Sequence, residues 1–246
     1  MSDNPQIPLS FRPRRNDNFE QFVVGKNQIA FAATKHFLGT HENSSSTVGG
    51  ANSSRFLYLK GDSGSGKSLL LNAVCNQARE MGRVAIYLSI RHLINQGSEP
   101  PADLQGIEVL CLDDVDSLVG NTVWEEAVFH YLNQMRAGAG YVILAGRQGP
   151  GHLAITLPDL RSRLAWGDVH GLKVLADYDK KNVLQQHARV QGVEVADEVL
   201  NYLLKHGRRD MKSLLSTLDT LQQKAFAVKR APTVPLLREV LKNPDK

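Results

Sequence analysis

The segment Gly61-Asp62-Ser63-Gly64-Ser65-Gly66-Lys67-Ser68 constrains this chain more than any other. It fits G-x-x-x-x-G-K-[ST] in full, between an apolar run, Phe56–Lys60, and an apolar helical pattern, Ser68–Met81. Glycines let a loop curl until several backbone N–H groups converge on one anion, and the following helix adds its positive N-terminal end. Gly61, Gly64, Ser65, Gly66 and Leu69 would supply that cradle. Lys67 can reach the β- and γ-phosphates of a nucleotide, and the Ser68 hydroxyl can hold Mg2+. The strand–loop–helix order separates a phosphate loop from a chance glycine turn.

A second segment supplies the acids. Val109-Leu110-Cys111-Leu112-Asp113-Asp114 reads as a buried strand ending in carboxylates. Asp113 is expected to bind Mg2+, directly or through water. Asp114 is expected to polarise an attacking water, with a turn cap as its alternative role. Aspartate is shorter than the glutamate usual in fast ATPases.

Hydrophobic periodicity fills in the rest. Val84–Ser89, Ile107–Leu112 and Tyr141–Ala145 read as strands, and 91–96 and Val123–Ala137 as helices. Short apolar strands alternating with helices predict an α/β fold, a parallel sheet covered on both faces. Past Leu175 only amphipathic helices remain: Asp177–Gln191, Ala196–Lys205, Asp210–Val228 and Val234–Leu241. The organisation read from the chain is a proline-bearing tail (1–17), an αβα nucleotide-binding domain (18–174) and a small all-helical lid (175–246). A Ser-, Gly- and Asn-rich loop spans 40–54.

Charge shifts at the same junction. Residues 173–246 carry 14 Lys and Arg against 9 Asp and Glu, whereas the preceding residues carry 15 against 16. A basic lid fits nucleic acid, an acidic partner or a solvated helical face equally well. The two cysteines, Cys75 and Cys111, sit in apolar runs and exclude a disulfide framework. The eight histidines lack metal-ligand spacing. No apolar run nears the ~18 residues of a membrane span, and no signal-peptide stretch opens the chain, so a cytoplasmic protein is expected.

Several motifs together resemble one family. Phe22-Val23-Val24-Gly25-Lys26-Asn27 is similar to the adenine-side box of the AAA+ module in the bacterial replication initiator DnaA. Leu157-Pro158-Asp159-Leu160-Arg161-Ser162-Arg163-Leu164-Ala165-Trp166-Gly167 resembles the box carrying an arginine finger, and Asp210-Met211-Lys212-Ser213-Leu214 the start of the sensor-2 helix. The resemblance spans roughly residues 6–243 and is closer to the Hda-type, DnaA-related regulators. It implies an AAA+ fold, bound ADP or ATP with Mg2+, base contacts at Val24 and Gly25, and a phosphate contact from Lys212. It also implies a finger at Arg163, with Arg161 as fallback, that acts on DnaA-bound ATP. The tail carries Gln6-Ile7-Pro8-Leu9-Ser10-Phe11, similar to Q-x-x-L-x-F peptides that dock on the DNA polymerase III β sliding clamp. Leu9 and Phe11 have nothing local to pack on, and Gln6 would bond at the rim of a cleft. A helix-turn-helix domain is not evident after the lid helices, which favours the regulator over the initiator.

Two positions depart from the family pattern. Ala145 replaces the polar sensor-1 residue, with Arg147 nearby, and Lys212 replaces the usual sensor-2 arginine, losing bidentate contact. Both weaken the expectation of hydrolysis in this protein's own site. The implied function is inactivation of DnaA at the DNA-loaded clamp, preventing re-initiation, with contact to DNA through the clamp and a possible homo-oligomer. The alternative is a self-sufficient AAA+ ATPase such as a helicase loader.

Overall fold

A computed structural model describes residues 13–14, 17–39, 55–208, 210–228 and 230–242. It divides into two compact units, one made of the described residues up to Asp62 together with Gly66–Lys173, the other of Ser63–Ser65 together with the described residues from Val174 on. No helix among the described residues is long and apolar enough to cross a membrane.

The first unit is built on five parallel strands: β1 (Phe56–Lys60), β2 (Ala85–Ser89), β3 (Val109–Asp113), β4 (Tyr141–Gly146) and β5 (Asp168–Gly171). Their order in the sheet is β2-β3-β4-β1-β5. Successive side chains on a strand face opposite ways, and both faces here are apolar. Tyr58, Leu110, Leu112, Val142 and Leu144 pack with Trp124, Val128 and Leu132 of α4 (Thr122–Ala137). The alternate residues Leu57, Leu59, Val109, Cys111, Ile143 and Ala145 pack with Leu70, Leu71 and Val74 of α2 (Lys67–Glu80). Both cysteines are thus core residues. Around this sheet lie α1 (Gln28–His36), α3 (Ile90–Asn95) and α5 (Pro158–Leu164).

Register brings the carboxyl ends of the strands level, Lys60 beside Gly146 and Ser89 beside Asp113. In open parallel sheets this is the edge where ligands bind. Two elements go beyond the sequence reading. β5 adds a fifth strand on the β1 edge, pairing Leu57 with Asp168, and α5 is helical within the arginine-bearing box. Strand β3 begins at Val109 rather than Ile107, because the Ile107 N–H closes a turn onto the Leu104 carbonyl at 3.1 Å.

The second unit contains α6 (Asp177–Val190), α7 (Asp197–His206), α8 (Met211–Ala227) and α9 (Val234–Lys242). Leu184, Leu200, Leu203, Leu214, Leu218, Leu221 and Leu237 form its core. Asp210 caps α8, accepting the Ser213 N–H at 2.9 Å, as an N-terminal Asp should. Asp197 ties α7 to α6 by accepting from Lys181 Nζ at 2.9 Å and Gln185 Nε2 at 2.8 Å.

Candidate nucleotide-binding site

The loop 61–66 leaves β1 and enters α2 at the carboxyl edge of the sheet. Gly64 and Gly66 have φ of 81° and 96°, a left-handed region that penalises any residue with a Cβ. Gly66 is doubly constrained, since a Cβ there would stand 2.5 Å from Cε2 of Phe22. Phe22 in turn stacks on Phe31, ring centroids 5.4 Å apart. Val24 packs on the same cluster, Gly25 has φ of 46°, and the Asn27 N–H turns back onto the Val24 carbonyl at 2.8 Å. The box 22–27 therefore meets the last glycine of the phosphate loop. Asn27 then exchanges two hydrogen bonds with Lys173: its Nδ2 donates to the Lys173 carbonyl at 2.9 Å, and its Oδ1 accepts the Lys173 N–H at 2.8 Å.

Lys67 is buried. Its Nζ donates to the carbonyls of Gly61 at 2.6 Å and Asp62 at 2.9 Å. Burial pulls its pKa down, and the charges of Asp113, Asp114 and Asp116 push back. Ser68 is exposed in the first turn of α2 and Leu69 half-buried behind it.

Strand β3 ends in the expected acids. Asp113 is 1% exposed; its Oδ2 accepts from Tyr87 Oη at 2.7 Å and its Oδ1 from the Asp114 N–H at 2.8 Å. Burial, with the Asp113 charge, raises the Tyr87 pKa and keeps its hydroxyl a donor. Asp114 has φ 57° and ψ 41° and is paired with Arg91, Nη2 to Oδ1 at 2.8 Å. Burial raises the Asp114 pKa, the Asp113 charge adds to that, and Arg91 opposes it. Asp114 is thus an ion-pair partner as well as a turn residue. Among the described residues no three His, Cys, Asp or Glu gather as a metal cage. One hydroxyl and one carboxylate, Ser68 and Asp113, suit instead an ion such as Mg2+, which keeps waters and phosphate oxygens as its other ligands.

A third acid was not anticipated. Asp116 Oδ2 accepts the Arg147 N–H at 2.6 Å and its Oδ1 the Gln148 N–H at 3.2 Å. Tyr58 Oη donates to the Gln148 carbonyl at 2.8 Å, and the Gly61 N–H donates to the Gly146 carbonyl at 3.1 Å. The turn after β4 is thereby bound to the start of the phosphate loop. The only earlier signal for Asp116 is the spacing D-D-x-D from Asp113. Ala145 is buried in the core, so it offers no polar group, while the Arg147 side chain is exposed.

Arg163 lies on α5. Its Nε donates to Asn133 Oδ1 at 2.7 Å and its Nη1 to the Asp159 carbonyl at 3.1 Å. Its guanidinium covers the Phe129 ring at 4.2 Å and approaches Trp166 at 5.4 Å. Among the described residues neither Asp159 nor Asp168 offers it a carboxylate, and Nη2 has no protein acceptor. Arg161 is exposed. The start of α5 is set by Glu125, fully buried, whose carboxyl oxygens accept the N–H groups of Thr156 at 3.1 Å and Leu157 at 2.9 Å. Lys212 is exposed in the first turn of α8. Gln6, Leu9 and Phe11 lie outside the described residues.

Residues 14–171 match the family model of the bacterial DnaA ATPase domain, and residues 177–241 match that of the Hda lid domain. An uncharacterized protein of Haemophilus influenzae is 32% identical over 239 residues, covering 97% of this chain and 99% of its own. The fold is similar to domain III of the Thermotoga maritima replication initiation protein DnaA, with a TM-score of 0.72 at 21% identity over 94% of this chain and 98% of that one. It is also similar to AMPPCP-bound DnaA from Aquifex aeolicus, with a TM-score of 0.64 at 23% identity over 87% and 67%.

Proposed function

Because this chain belongs to the DnaA-related AAA+ family and carries a lid of the Hda type, we propose that it is a replication regulator that promotes hydrolysis of DnaA-bound ATP. The observation that carries the proposal is Arg163. A half-buried guanidinium oriented by Asn133 and two aromatic rings, with Nη2 unbonded and no carboxylate neutralising it among the described residues, is preorganised to meet an anion from outside. Charge developing on a transferring phosphoryl group is the natural target of such an arginine, and the effect can reach ~10³–10⁵ in rate.

In this reading the protein's own nucleotide, ADP or ATP, sits on the backbone of Gly61, Gly64, Ser65, Gly66 and Leu69, with Lys67 on its phosphates. Val24 and Gly25 border the base, and Lys212 stands where the family pattern has its phosphate-contacting sensor-2 cation. Mg2+ would be held by Ser68 and Asp113 and would supply charge neutralisation at the phosphates. The relative from Aquifex aeolicus binds AMPPCP, which supports a nucleotide here. Gln6, Leu9 and Phe11 would tether the protein to the β sliding clamp on DNA in the cytoplasm. Tethering raises the effective concentration of a weak pair, so inactivation follows clamp loading.

The test adds this protein to DnaA carrying labelled ATP, with and without DNA-loaded clamp. Wild type should convert the bound label to ADP only with the clamp. Gln6→Ala should lose the clamp dependence together with the activity, and Arg163→Ala should abolish conversion while still binding the clamp. Unchanged ATP on DnaA with wild type and clamp would overturn the proposal. A helicase-loader-type ATPase would instead turn over ATP alone.

A further inference from the structure

Both main-chain polar groups of Arg14 are held by side chains of α2. Its N–H donates to Asn72 Oδ1 at 3.1 Å, and its carbonyl accepts from Asn76 Nδ2 at 2.9 Å. Asn76 Nδ2 also reaches the Asp17 carbonyl at 2.8 Å, and the Asp17 N–H turns back onto the Arg14 carbonyl at 3.2 Å. Asn72, only 1% exposed, directs its own Nδ2 to the Ser68 carbonyl at 2.8 Å. Positions 72 and 76 are one helical turn apart and share a face. Asparagine is a poor helix former, so two of them on one face inside α2 sacrifice local propensity, which the hold on Arg14 offsets. That hold is on backbone and not on the Arg14 side chain, so it fixes a point on the chain. From Asn18 on the chain is held again: Asn18 Oδ1 accepts the Gln21 N–H at 3.2 Å, and Phe19 meets Phe31 edge-on, ring centroids 6.0 Å apart.

We propose that Asn72 and Asn76 are positioning residues that pin the base of the N-terminal tail to α2, so that the protein docked on a sliding clamp is held at one attitude instead of swinging on a leash. The inference rests on the reading of Gln6, Leu9 and Phe11 as the clamp-docking residues. Three chain steps separate Phe11 from Arg14, and an extended chain spans at most ~3.6 Å per step. With the pin in place, the anchored Arg14 lies within about 11 Å of the last docked residue. Without it the leash would run on to Phe19, a reach of about 29 Å. The space open to a tethered body grows with the cube of its reach, so the pin confines it roughly twentyfold. Arg163 belongs to the same compact unit as Arg14, so holding one sets the place of the other relative to the clamp. A finger that must meet a phosphate on another protein gains from this, because misaimed encounters are removed.

The experiment uses the full chain on DNA-loaded clamp, with one spin label on the clamp and another at Glu80→Cys, an exposed position at the end of α2. Cys75 and Cys111 are buried and stay unlabelled. Pulsed electron resonance on the wild-type background should give one narrow distance distribution. Inserting about six Gly and Ser residues between Arg12 and Pro13 lengthens the leash and leaves the pin intact, and should widen the distribution at least roughly twofold. Asn76→Ala, which removes two of the three bonds from α2 side chains to the tail backbone, should widen it too. Clamp affinity, ADP affinity and thermal midpoint of the insertion variant should stay at wild-type values, which separates aim from fold. Its conversion of DnaA-bound ATP at the clamp should be slower by roughly three- to tenfold, within the confinement lost. A wild-type distribution as wide as the insertion variant's would overturn the proposal. So would an Asn76→Ala protein that keeps the narrow distribution, or an insertion variant that docks normally and converts at the wild-type rate. Wild type that does not bind the clamp would overturn the docking reading of Gln6, Leu9 and Phe11, a separate and recognisable result.

Discussion

The ring of Phe22 rests against Gly66, with no room at position 66 for even one carbon beyond Cα. Two segments 44 positions apart in the sequence thereby share one surface: the box that would border the base and the loop that would cradle the phosphates. Gly66→Ala must both leave a left-handed φ and displace the ring. It should cost about 1–3 kcal/mol, lowering the thermal midpoint by several degrees, and weaken nucleotide binding by at least roughly tenfold. Adding Phe22→Leu should recover part of the midpoint but not the affinity, since the backbone penalty remains. Calorimetry on the single and double variants checks this.

Asp116 fastens the turn after β4 through two backbone N–H groups. Asp116→Ala should cost ~1–3 kcal/mol, because the amides lose a charged acceptor. Asp116→Asn keeps one acceptor oxygen but turns an NH2 donor toward the other N–H group, so it should cost about as much as the Ala variant. Urea unfolding measures both losses, and hydrogen exchange at the Arg147 and Gln148 amides should speed up in both.

Glu125 sets the start of the helix that carries Arg163. Glu125→Gln replaces one acceptor by a donor facing an N–H group, a mismatch worth about 1–3 kcal/mol in a buried place. Because 31 residues separate Glu125 from Thr156 but the contact is direct, the damage should fall on α5. Stimulation of DnaA-bound ATP hydrolysis should drop several-fold while ADP affinity stays at the wild-type value.

Asn27 meets Lys173 with both ends of its amide. Asn27→Asp keeps the acceptor and loses the donor, whereas Asn27→Ala loses both. Thermal unfolding should place both variants below wild type, the Ala variant down by ~2 kcal/mol for two part-buried bonds and the Asp variant at least as far, since its second carboxylate oxygen faces the Lys173 carbonyl oxygen.

The phosphate loop was readable because its chemistry is local: every residue of 61–68 sits within one turn of chain. The strands on either side were readable because parallel sheets bury both faces, which leaves continuous apolar runs such as Tyr141–Leu144. Strand β5 was not, since Asp168-Val169-His170-Gly171 is a short, mostly exposed edge without an apolar run. The contacts of Asp116, Glu125 and Asn27 escaped notice for a different reason. Their partners lie 31, 31 and 146 positions away, and no periodicity in a single chain announces a polar contact at that range. The pairing of Arg91 with Asp114 belongs to the same class. The arginine-bearing box pointed to Arg163 itself, but not to the Asn133 and Phe129 that orient it.

The tight turn after β3 gives three acids three separate destinations: Tyr87, Arg91 and the amides of Arg147 and Gln148. Inserting or deleting a single residue there would rotate all of them at once. Natural variation in relatives of this chain is therefore expected to proceed in that stretch by exchange of side chains at constant length.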